Sequence, residues 1–212
     1  MRQTIRRAIV TMLLVVTTGI SAAVADDGDV AGKVARVQGR VVAVQDAQLR
    51  VLMAGDAVLV GDVLSTGKEA RLEISMIDEG IFTLGERTVF VVIDYTFGGA
   101  ANNAVLGLLS GALSAASGGI AGLDTMAFKL ETPTATIGIR GTRLWVGTMP
   151  DGVFHVGLWR DGPVIVENRA GRVEISEPLF GTHVDDPDIA PTPPKLWPTP
   201  MNVNAKRMVA FD

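Results

Sequence analysis

The side chains best suited to chemistry are few and scattered. His155 alternates with Phe154 and Val156, which reads as the polar face of a strand. His183 precedes Asp185, Asp186 and Asp188, residue types that can ligate a metal. Pro187 interrupts them, and an ordered metal site needs ligands held in place, so a solvated acidic linker is the better reading. Cysteine is absent, and no GxSxG, HExxH, CxxC or phosphate-binding loop occurs. Paired carboxylates of a glycan-acting enzyme are defined by their separation in space, and no pair stands out. No cofactor or metal is expected. The acidic residues with regular spacing are Asp56 and Asp62, each behind a glycine (Gly55, Gly61) in GDAVLVGDVLSTG. Two carboxylates fall short of the six to eight oxygens calcium takes. Glycine admits positive φ and aspartate hydrogen-bonds its own turn, so these pairs read as two corners in a strand ladder.

The elements around them alternate with period two. Arg71–Met76 puts Leu72, Ile74 and Met76 on one face and Arg71, Glu73 and Ser75 on the other. Similar runs occur at Val34–Val44, Leu49–Met53, Ile81–Leu84, Val89–Tyr95, Leu144–Val146, Val153–Trp159, Val164–Glu167 and Val173–Ile175. Turn residues separate them about every ten positions, the pattern of an all-β array. The uncharged stretch Gly98–Leu123 contains a GxxxG match, Gly107 to Gly111, and would make a second membrane span if helical. It is rich in small residues and poor in hydropathy for insertion.

Residues 1–25 read as a signal peptide: Arg2, Arg6 and Arg7, an apolar run from Ala8, then Ala23-Val24-Ala25. Cleavage after Ala25 is expected, giving a periplasmic or secreted protein; an uncleaved anchor is the alternative. Removing 25 of 212 residues, three of them arginines, takes the net charge from −4 to −7 on 187 residues. That balance argues against nucleic acid. A chain of this length buries a sufficient core without disulfides.

The run TPTATIGIRGT sets Thr132, Pro133, Gly138, Arg140, Gly141 and Thr142 among apolar strand-formers. Extended backbone would place Thr132, Thr134 and Thr136 on one side. Arg140 reads as a clamp onto a buried acid or carbonyl, with an exposed partner-gripping role as the alternative. Together with Gly32-Lys33-Val34, Val37-Gln38-Gly39, the double Gly-Asp corner and the Arg71–Gly80 strand and turn, this run resembles the FecR-type domain over about residues 30–181. The resemblance implies a twisted β-solenoid or β-roll of short strands, without enzymatic activity. Over Gly98–Leu123 it implies strand–turn–strand, at Val105–Leu109 and Ala112–Ala116, in place of a membrane span. It also implies a binding or scaffolding role in the cell envelope, for a protein or a glycan. Only seven residues precede the apolar stretch, so no cytoplasmic sigma factor is expected as a partner. Residues 182–212 hold six prolines and Trp197, and read as a Pro-rich linker or tail, with Trp197 as a docking residue in the alternative.

Overall fold

The computed structural model describes residues 30–99, 102–122 and 127–212, so the expected signal peptide lies outside the described residues. It is nearly all β. The strands are β1 (Val30–Gln38), β2 (Val41–Gln45), β3 (Gln48–Val51), β4 (Ala57–Leu59), β5 (Val63–Thr66), β6 (Arg71–Met76), β7 (Ile81–Leu84), β8 (Val89–Thr96) and β9 (Asn103–Ser110). There follow β10 (Ala112–Ala116), β11 (Phe128–Glu131), β12 (Thr136–Ile139), β13 (Thr142–Thr148), β14 (Phe154–Asp161), β15 (Val164–Asn168), β16 (Gly171–Ile175), β17 (Phe180–Val184) and β18 (Lys195–Leu196). Among the described residues one α-helix, α1 (Thr199–Val209), comes last.

These strands form two open nine-stranded sheets, called A and B here. Sheet A runs β18-β17-β14-β13-β10-β7-β6-β1-β4 and sheet B runs β16-β15-β12-β11-β9-β8-β5-β2-β3. The chain changes sheet after every one or two strands, so both sheets are laid down nearly in chain order. Neighbours are antiparallel except β9 and β11, which pair in parallel.

Alternation in the sequence decides which side chains meet. In β6, Leu72, Ile74 and Met76 are buried and their neighbours face outward. One continuous core lies between the sheets. At its centre Phe82 meets Phe90, Tyr95 and Phe128 edge-on, at 6.3, 6.4 and 5.9 Å between ring centroids. Each such ring buries enough apolar area to contribute several kcal/mol, about 3–5 on truncation to alanine.

Polar groups inside this core have partners. Thr66 Oγ1 donates to the Gly85 carbonyl at 2.6 Å and accepts from the Thr88 N–H at 2.9 Å. Buried Asp78 accepts from Tyr95 Oη at 2.6 Å, Gly80 N at 3.0 Å and Ile120 N at 3.1 Å. Burial raises the Tyr95 pKa, and the bond to Asp78 adds to it, so the phenol stays protonated.

The stretch Gly98–Leu123 overturns the membrane-span alternative. Its described residues build β9, the Ser110-Gly111 turn and β10, then a single 3-10 turn at Ile120–Gly122. Among the described residues no helix is long and apolar enough to cross a membrane. The small residues that suggested helix packing serve a tight strand connection instead. Gly111 has φ +89°, and a Cβ there would overlap Thr88.

The C-terminal stretch differs from the expected linker. β17 begins before the anticipated boundary and ends at Val184. The chain then returns as β18 against β17, forms α1 across β10, and ends at β1. Arg71 Nε donates to the Ala210 carbonyl at 3.1 Å. Gln38 exchanges two hydrogen bonds with Asp212, at 2.8 and 3.0 Å. Arg36 stands over the Phe211 ring at 4.1 Å. The tail is thus a strap over the outer face of sheet A. Proline sets its turns, and its Trp and helix supply apolar area that a disordered linker lacks.

Candidate functional site

The Gly-Asp corners are two copies of one turn. In the first, Gly55 has φ +96° and Asp56 Oδ2 accepts from the Met53 N–H at 2.7 Å. In the second, Gly61 has φ +91° and Asp62 Oδ2 accepts from the Leu59 N–H at 2.8 Å. They differ in burial. Asp62 is fully buried, and Arg50 Nη2 grips both its oxygens, at 2.6 and 2.7 Å. Arg50 Nη1 also donates to the Ala57 carbonyl at 3.3 Å. This is the arginine clamp expected of Arg140, made by a different arginine. The sequence signal for Arg50 was a lone charge inside the apolar alternation Leu49, Val51, Met53.

Within TPTATIGIRGT the structure places a turn where extended backbone was expected. Thr132 Oγ1 accepts from the Ala135 N–H at 3.0 Å and donates to the Ala135 carbonyl at 2.7 Å. This self-bonded turn joins β11 to β12, with Pro133 exposed at its tip. The threonines therefore do not form one strand face, because a hydroxyl that bonds its own backbone favours a turn. Gly138 sits in β12, opposite Lys129. Arg140 is exposed and, among the described residues, makes no hydrogen bond or ion pair, so the inward clamp is overturned. Gly141 turns the chain at φ +55°, and buried Thr142 donates through Oγ1 to the Arg160 carbonyl at 2.7 Å.

The strap has its own seat. Gly157 of β14 and Gly181 of β17 are directly opposite each other. A Cβ at either position would overlap the Trp197 indole. The two glycines leave a flat slot, and Trp197 fills it to 6% exposure. Trp145 closes one side at 5.9 Å between ring centroids, and His155 another at 6.1 Å. Trp197 is therefore held by its own chain, and its role as a free docking residue is overturned. His155 and His183 are also cross-strand partners, with rings 5.6 Å apart. Burial lowers the His155 pKa against the opposing pull of Asp151. Among the described residues no group of three ligating side chains could hold a metal ion.

The sheet edges are unequally protected. At β16, exposed Arg172 and Glu174 guard the edge. The strap's approach lies beside it, because Asn168 Nδ2 donates to the carbonyls of Asp186 and Ile189, at 3.2 and 2.6 Å. At the other end of sheet B, no element among the described residues covers β3. Leu49, Val51 and Met53 stand 58, 57 and 67% exposed. Leu49 lies opposite Val44, Val44 opposite Val63, and Val63 opposite Val91, so an aliphatic stripe continues inward across the outer face. Charges, proline and covers are the usual means of blocking an edge, and β3 has none pointing outward.

Comparison with known proteins adds three findings. The profile of the family described as "FecR protein" matches residues 62–160. Two crystal structures of a protein described as an anti-sigma factor from Parabacteroides distasonis superpose with a TM-score of 0.50 at 14% identity. The superposition covers 68% of this chain and 61% of that protein, so the likeness is one of fold and spans under two thirds of its length. No curated protein matches the chain.

Proposed function

We propose, from the FecR domain that residues 62–160 carry, that this chain is an exported, non-catalytic binding module of a cell-envelope signalling system. The partner docks as an extended strand along β3. One observation carries this reading: among the described residues β3 is an uncovered edge exposing Leu49 and Val51, with Met53 exposed just beyond it, while the opposite edge of the same sheet is charged. Unpaired backbone groups on such an edge give affinity, and alternate side chains give specificity. Export rests on the basic, apolar and small-residue order of residues 1–25. The protein described as an anti-sigma factor shares the fold, which suits a signalling context.

The experiment places a photo-crosslinking residue at Leu49 or Val51, and separately at Arg172, in the full chain expressed in its own cells. Crosslinks to one discrete partner are expected from the β3 positions and not from Arg172, and Val51→Lys should abolish them. Equal labelling from both edges, or none from β3, would sink the strand-docking reading. Mass spectrometry of the mature N-terminus checks export, with Asp26 expected first.

A further inference from the structure

Three basic residues far apart in sequence meet at one place on sheet A. Arg143 of β13 and Arg160 of β14 are directly opposite in the strand register. Like charges in that relation repel. Lys206 of α1 joins them from the strap, and with Trp159 and Leu179 they line a hollow of about 330 Å³. No carboxylate is in that lining. Among the described residues, none of the three cations forms an ion pair. Asp161 and Glu174 line a separate hollow that Arg160 also borders, without pairing to it. The protein as a whole is acidic, at −4, so a concentration of unpaired positive charge is against its average.

We infer that this hollow binds a phosphorylated sugar. A phosphomonoester carries between one and two negative charges at neutral pH and three acceptor oxygens, which suits two guanidinium forks and an ammonium. The volume exceeds what a bare phosphate needs and accommodates one ring. Trp159 supplies the aromatic wall. The apolar C–H face of a sugar ring packs on the face of an indole, while its hydroxyls stay toward the cations and solvent. A phosphopeptide would use the cations alone and leave the aromatic wall without a role. The site stands apart from β3, at the C-terminal half of the other sheet. Because Lys206 belongs to the strap, an occupied site would also tie the strap to the sheet.

The test is calorimetric titration of the full chain with glucose 6-phosphate, glucose, inorganic phosphate and a phosphoserine peptide. Glucose 6-phosphate should bind tightest, and more weakly as salt rises. Arg143→Ala with Arg160→Ala should lower its affinity about tenfold or more, since charge-assisted bonds to both forks are lost. Trp159→Leu should lower glucose 6-phosphate affinity while leaving phosphate affinity unchanged, and an unchanged melting temperature shows that each variant folds. The inference is overturned if glucose binds as well as its phosphate, or if phosphate or the phosphopeptide matches the sugar phosphate. Indifference of the double arginine variant, or no binding at millimolar ligand, overturns it equally.

Discussion

The core between the sheets and the apolar cluster beneath the strap are built to different standards. Between the sheets, Asp62, Asp78, Thr66 and Thr88 are buried and all have hydrogen-bond partners. Under the strap, the Trp145 and Trp159 indole N–H groups and His155 Nε2 are buried without partners, as is Asn202 Oδ1 on the strap itself. Only one other such atom occurs among the described residues, Thr134 Oγ1. Each unsatisfied group costs about 1–3 kcal/mol against whatever the apolar contact gains. The helix of the strap also starts at Pro198 without a side-chain cap. The difference teaches that the sandwich satisfies its buried polar groups, whereas the strap covers groups it leaves unsatisfied and is expected to open first.

The harshest way to probe that contrast is Phe82→Ala. It removes a fully buried ring with three aromatic neighbours, and should cost about 3–5 kcal/mol in chemical denaturation. Trp197→Ala removes a larger side chain yet should cost less, about 2 kcal/mol. The loss cannot exceed the free energy with which the strap docks, because beyond that point the strap opens locally and the sandwich survives. Near-ultraviolet circular dichroism should then lose the Trp145–Trp197 contribution while the far-ultraviolet strand signal stays. Equal costs for the two variants would erase the distinction between the regions.

The gentlest probe is pH. The folded His155 pKa lies below its ordinary value of about 6.5, so the unfolded chain binds that proton more readily. Stability is complete above about pH 6.5 and falls as pH drops from there toward the lowered folded value. The Trp197 environment should report the change first, by a fluorescence shift at pH values where the far-ultraviolet signal is constant. His155→Gln should flatten the dependence; an unchanged profile in that variant would assign the effect to other groups.

The alternation of β6 was legible because a side-chain period of two encodes its own faces. The strand–turn–strand reading of β9 and β10 came with the FecR resemblance, since small, uncharged residues by themselves argued only against a membrane helix. The seat of Trp197 was not, since its slot depends on Gly157 and Gly181 becoming neighbours only after β14 pairs with β17. The proline content of the tail suggested extended backbone, yet Pro200 lies in the first turn of α1, and it said nothing of what the apolar residues would meet. An arginine clamp was anticipated from chemistry, but register decides which arginine faces an acid. Arg50 faces inward beside Asp62, and Arg140 follows the end of β12 and faces solvent.

The path of the strap, from β17 across sheet A to its last residue on β1, sets how the molecule would bear a load. A pull on the C-terminus reaches the Gln38–Asp212 pair first, then the Arg71–Ala210 bond, then the helix, then the Trp197 slot, and only after it the pairing of β18 with β17. Contacts in that order break one after another, as in peeling, and never share the force as strands in shear do. Force applied at Asp212 therefore peels the strap contact by contact before it loads the sandwich beneath.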